Sequence, residues 1–141
     1  RIGEHRTAAL GLLLIGCGFG GCALTKVQPL HLLLYWSACI GLALAETAAA
    51  VLASRYARSE RRRDANLASL QSTQACSNIF APIAAGVMFE RSAGAAALPG
   101  ALPILFTGAL ALCAAPVALV VKKFDDAWEG RGRPAAATAS R

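Results

Sequence analysis

The residue in this chain most suited to chemistry is Glu46, an acid inside the otherwise apolar run 30–54. Eight positions separate it from the basic end of that run. On a helix rising about 1.5 Å per residue, that is a depth of about 12 Å. An ionised carboxylate at that depth in hydrocarbon costs about 2.5 to 3.5 kcal/mol on insertion scales, so the group has to be paired, face water or keep its proton. Two roles fit: a proton-coupling or cation-contacting carboxylate, or an acid that pairs with an Arg or polar neighbour and fixes helix packing. Helical spacing puts Glu46 on one stripe with Cys39, Ala43 and Ala50. A second constellation, Gln71, Gln74, Asn78 and Pro82, is spaced by three, four and four and so shares one helix face, with Thr73 and Ser77 flanking it. Amides are kept away from lipid, so this face is expected to look into a bundle or cavity, either toward a substrate or into interhelical hydrogen bonds. Pro82 removes a backbone hydrogen bond and is expected to bend its helix near the middle.

The elements that position these groups are four apolar runs, 7–24, 30–54, 67–89 and 101–121. Each is near the roughly 20 residues that a helix needs to cross about 30 Å of hydrocarbon. Charged residues make up 16% of the chain and hydrophobic ones 56%, a shift from the globular average of about 25% charged toward membrane composition. The expected fold is an all-α polytopic transmembrane bundle, one domain over 1–121 with four spanning helices. The polar, Ala/Pro/Gly-rich stretch 122–141 is expected to be a disordered cytoplasmic tail. The second and third helices carry the polar groups, whereas the first and fourth carry no charge and are expected to face lipid.

Of the 14 Lys and Arg residues, 12 lie before the first run, between the second and third, or after the fourth, leaving only Lys26 and Arg91 elsewhere. Basic residues concentrate in cytoplasmic loops, so both termini and the 55–66 loop are expected on the cytoplasmic side of an unspecified membrane. His31, Tyr35 and Trp36 suit the opposite interface. The net charge of +6 thus reads as orientation. Arg61, Arg62 and Arg63 form one short stretch with no aromatic interleaving, which argues against nucleic acid. The five cysteines lie inside the apolar runs without C-x-x-C spacing, so neither a disulfide framework nor a metal site is expected. No Ser/His/Asp arrangement or P-loop occurs, and His5 and His31 fall on opposite sides; neither an enzyme nor a cofactor is expected. The stretch from Gly16 to Gly21 matches G-x-G-x-x-G literally, but it lacks the strand and the following acid of a dinucleotide site. Its Gly16 and Gly20, four apart, are expected to let a neighbouring helix approach closely.

The charged lead Arg1-Ile2-Gly3-Glu4-His5-Arg6 is similar to the basic Gly-Glu loop entering the ninth helix of major facilitator superfamily transporters. The stretch 62–89, with small and polar residues leading to Ala81-Pro82, resembles the loop and eleventh helix of the tetracycline-efflux-like drug/proton antiporters. The chain therefore looks like the last four of twelve helices of such a carrier. The resemblance implies a partial major facilitator fold whose tenth helix lines the cavity and whose eleventh lies between the halves. It departs from the family where Leu67-Ala68 replaces a common Gln-Gly pair and where Ala81 replaces a Gly. It implies a C-terminal fragment of a secondary transporter moving a small organic solute with protons, with Glu46, Gln71, Gln74 and Asn78 on the pathway. Its partners would be the lipid bilayer, the protein's preceding helices, the solute and protons. The alternatives are a four-helix non-transporting subunit or assembly factor, and a small dimeric multidrug transporter sharing Glu46.

The charge pattern predicts that, with the native cysteines replaced by Ala, an impermeant maleimide labels a Lys26→Cys variant in intact cells. An Arg62→Cys variant should react only after permeabilisation, and the reverse pattern would invert the orientation.

Overall fold

The computed structural model describes residues 3–57, 59–94 and 100–132, with 125–132 as backbone only. The described chain is all-helical: α1 (Glu4–Leu24), α2 (Gln28–Arg55), α3 (Glu60–Ala93) and α4 (Leu102–Gly132). Helix starts follow local chemistry. Glu4 and Glu60 place negative charge in the first turns of α1 and α3, against the positive end of the helix dipole. Pro29 opens α2, where its missing N–H costs nothing. Ser59 caps α3 by accepting from the Arg62 amide at 3.4 Å. Gly100, at φ 69°, turns the chain into α4, and its N–H donates to the Ser92 carbonyl at 3.1 Å.

Two features differ from the sequence expectations. The basic 55–66 stretch is mostly helix, because the Ser59 cap starts α3 at Glu60 and places Arg61, Arg62 and Arg63 in its first turn. Residues 122–132 of the expected disordered tail continue α4 instead; no Gly or Pro intervenes between Pro116 and Gly130 to stop it. Residues 133–141 and 95–99 lie outside the described residues. Pro82 lies inside α3 and Pro116 inside α4, each helix continuing on both sides of its proline.

Three helices are long and apolar enough to cross a membrane: Glu4–Leu24, Gln28–Arg55 and the Leu102–Phe124 part of α4. The expectation of four spans is narrowed by α3, which has ample length at 34 residues. Its stretch 66–78 is diluted by Asn66, Gln71, Thr73, Gln74, Ser77 and Asn78.

α1 sits between α2 and α4, and glycine makes both contacts close. A Cβ on Gly11 would lie 2.7 Å from the Gly41 carbonyl oxygen, one on Gly41 would lie 2.6 Å from that of Gly11, and one on Gly18 would lie 2.7 Å from that of Leu34. On the other side, a Cβ on Gly108 would lie 3.1 Å from the Gly16 carbonyl oxygen and 3.0 Å from the Gly20 amide nitrogen. Both pairs run antiparallel. The buried side chains are correspondingly small, among them Ala9, Ala38, Ala48, Ala111 and Ala115, while Leu32, Leu33, Phe80 and Val117 point outward. α1, expected to be peripheral, is thus the most enclosed helix, since backbone approach rather than polarity selects the centre. α3 buries only Ser92 among its described residues.

Gly41→Leu is expected to lower stability in detergent by about 1 to 3 kcal/mol, because its Cβ would meet the Gly11 carbonyl oxygen, the Ile15 amide nitrogen and the Leu14 Cβ, atoms of the facing backbone or fixed directly to it. Gly86→Ala, which meets nothing within 4 Å, should leave the unfolding midpoint unchanged or raise it, the sense of the Ala-over-Gly helix preference. Equal losses for both would show that the α1–α2 approach carries no weight.

Candidate functional site

The polar residues of α2 and α3 meet in an open groove. Glu46 lies nine residues before the end of α2. Gln74, on α3, donates from Nε2 to Glu46 Oε1 at 2.7 Å. The groove has a volume of about 430 Å³ and is lined by Glu46, Ala49, Ala50, Leu67, Leu70, Gln71, Thr73, Gln74 and Ser77. Its polar equipment is therefore one acid, two amides and two hydroxyls on a small apolar wall.

The hydroxyls are satisfied within their own helix. Thr73 donates to the Ser69 carbonyl and Ser77 to the Thr73 carbonyl, each at 2.9 Å. Their protons are engaged while oxygen lone pairs remain free to accept. Thr47, beside Glu46, bonds back to Ala43 at 2.7 Å in the same way. Asn66 Nδ2 donates to the Ala53 carbonyl at 3.1 Å, two turns toward the basic end. The α2–α3 contact is thus held by polar bonds at two levels.

Of the residues that sequence reasoning placed on the pathway, Glu46, Gln71 and Gln74 come together, joined by Thr73 and Ser77. Asn78 is exposed and does not line this groove. Of the two expected packing glycines, Gly16 lies at the α1–α4 contact, where a Cβ would run into Leu112 and Gly108, whereas a Cβ on Gly20 would meet nothing within 4 Å. Pro82 is exposed beside a separate apolar cleft that Ala81, Met88, Phe106 and Thr107 help to line between α3 and α4. Two links escaped the sequence reading: Asn66 to Ala53, and an ion pair from Arg55 to Glu4 that ties the end of α2 to the start of α1. Charge complementarity hinted at the second, but with the partners 51 positions apart no local pattern announces it. Cys22, buried on α1, offers its thiol to the His31 carbonyl at 3.5 Å and so couples the α1–α2 turn.

Chemically, the groove can hold or release a proton at Glu46 and hydrogen-bond a polar solute through Gln71 and Gln74. Among the described residues, no group of three or more His, Cys, Asp or Glu side chains is placed to hold a metal.

The fold and site together define an all-helical protein with three membrane-competent helices and an acid–amide groove between its second and third helices. Comparison with protein families, characterised proteins and solved structures finds no match to this chain.

If the Glu46–Gln74 bond contributes to stability, the losses caused by Glu46→Leu and Gln74→Leu should combine to less than their sum in the double variant, measured by thermal unfolding in detergent. Strict additivity would show that the contact contributes nothing.

Proposed function

We propose that this chain is the C-terminal part of a secondary transporter of the major facilitator type, embedded as a multi-pass protein with its basic ends on the cytoplasmic side. It would move a small organic solute coupled to protons. The observation that carries the reading is the Glu46 carboxylate, hydrogen-bonded to Gln74 at 2.7 Å within an open groove. A carboxylate inside an apolar helical run is retained against its insertion cost where it serves an ion or proton pathway, and the partner that the structure gives Glu46 is the neutral amide of Gln74. In this reading Glu46 takes up and releases the proton, and Gln71 and Gln74 hydrogen-bond the solute. Asn78 would meet solute only outside the groove. Alternating access rocks two repeat-related halves around a midplane site, so these helices belong to one half, and the bare surface of α3 is where the rest of the protein would lie. The sequence resemblance supports the same assignment.

The test uses the full-length carrier in proteoliposomes with an imposed pH gradient and a panel of lipophilic organic cations plus tetracycline. Glu46→Gln is expected to reduce gradient-driven accumulation by on the order of a hundredfold, the scale on which proton-transferring side chains act, while solute counterflow without a gradient persists. Unchanged gradient-driven transport by a normally folded Glu46→Gln protein would overturn the coupling role. Failure of the unsubstituted protein to move any compound in the panel would overturn transport of this solute class.

A further inference from the structure

The hydrogen bonds inside the α2–α3 groove leave it rich in acceptors and poor in donors. Gln74 gives an Nε2 proton to Glu46 Oε1 at 2.7 Å, which leaves its own Oε1 and most of the carboxylate lone pairs to accept. Thr73 and Ser77 direct their hydroxyl protons to backbone carbonyls at 2.9 Å, so toward the groove both act as acceptors. Unengaged side-chain protons come from the amides of Gln71 and Gln74. Charge is one-sided as well. Glu46 carries it, and no Lys, Arg or His stands among the described lining residues. Arg55, nine positions further along α2, is engaged by Glu4, and the nearest charge on α3 is another acid, Asp64, ten positions before Gln74.

The lining is also sorted by level. Gln74 meets Glu46 and Asn66 meets Ala53, so α2 and α3 run antiparallel along the groove. Leu67, Leu70, Ala49 and Ala50 therefore lie toward the Asn66–Ala53 end, and Glu46, Gln74 and Ser77 toward the other. From Leu67 to Ser77 the helix rises about 15 Å, enough for a charged head and a short apolar body laid end to end. A head that is both cationic and rich in N–H groups answers the charge and the surplus acceptors together. A quaternary ammonium answers the charge but leaves the acceptors unpaired, and a neutral alcohol offers one donor and no charge; unpaired polar groups are what such a site rejects.

We propose, building on the carrier reading, that the solute class of this groove is a primary ammonium ion on a short apolar body, recognised by its N–H groups as well as by its charge. The Glu46 carboxylate takes one N–H in a charge-assisted bond, roughly twice as strong as a neutral one. The Ser77 and Thr73 oxygens accept the others, and Leu67 and Leu70 cover the carbon chain. Gln74 is then a positioning residue: its bond to Glu46 Oε1 fixes the carboxylate while leaving it able to accept from the solute.

The test is calorimetric titration of the full-length protein in phosphatidylcholine nanodiscs, corrected for empty discs, with hexylammonium, hexyltrimethylammonium and hexanol, which share one apolar body. Hexylammonium is expected to bind about tenfold tighter than either of the others, the scale of a hydrogen bond to a charged group. Glu46→Gln should weaken hexylammonium by about tenfold. Ser77→Ala should weaken it severalfold and leave hexyltrimethylammonium unchanged; it provides the comparison if the Glu46→Gln protein does not fold. Equal affinity for hexylammonium and hexyltrimethylammonium, no saturable hexylammonium binding, or undiminished binding in the folded variants would each overturn the assignment. Because binding is read without a gradient or flux, saturable hexylammonium binding by a protein that moves no solute would overturn the carrier reading alone. Proton-coupled transport with no preference for the primary ammonium would overturn this assignment alone.

Discussion

Backbone-to-backbone contact along α1 is the constraint on which the rest of the arrangement depends. Helices in lipid gain little by hiding apolar side chains from an equally apolar surround, so association relies on close van der Waals packing and interhelical hydrogen bonds. α1 meets that requirement on two sides, through Gly11 and Gly18 toward α2 and through Gly16 against Gly108 of α4. Two glycine faces on one helix make it the centre of the bundle. The large side chains are thereby displaced outward, where Leu32, Leu33 and Val117 are exposed.

α3 illustrates the opposite regime. It has no glycine seam with its neighbours, and Gly86 has nothing within 4 Å of a would-be Cβ. Its attachments are polar: Gln74 to Glu46 and Asn66 to Ala53. Hydrogen bonds fix the level at which two helices meet without requiring their surfaces to interdigitate, and this leaves an open groove beside the Glu46–Gln74 bond. The same looseness leaves the amide and hydroxyl groups of α3 accessible, a property suited to a surface that binds, releases or moves. Cohesion and accessibility are thus divided between α1 and α3.

Charge adds a third layer. The Arg55–Glu4 ion pair joins the end of α2 to the start of α1. Exposed ion pairs contribute little to stability, so the pair matters chiefly for register.

The number of helices, their approximate spans and the sidedness of charge were legible in the sequence, because run length, hydropathy and Lys/Arg placement are local properties summed along the chain. The presence of Glu46 and the amide stripe as polar groups in apolar runs was legible too, since such groups stand out without knowledge of their neighbours, but not which of them meet. Local chemistry also misled: the basic stretch after Arg55 read as a loop although Ser59 caps a helix there, and the polar stretch after Val121 read as disordered although nothing interrupts the helix before Gly130. Tertiary structure alone decided that α1 is central, that Gln74 rather than Asn78 faces Glu46, and that Arg55 meets Glu4. A helix apolar on every side carries no amphipathic stripe to mark its contact face. Its rotation and level are set by where two backbones can approach, a relation between distant residues that no single stretch of sequence contains.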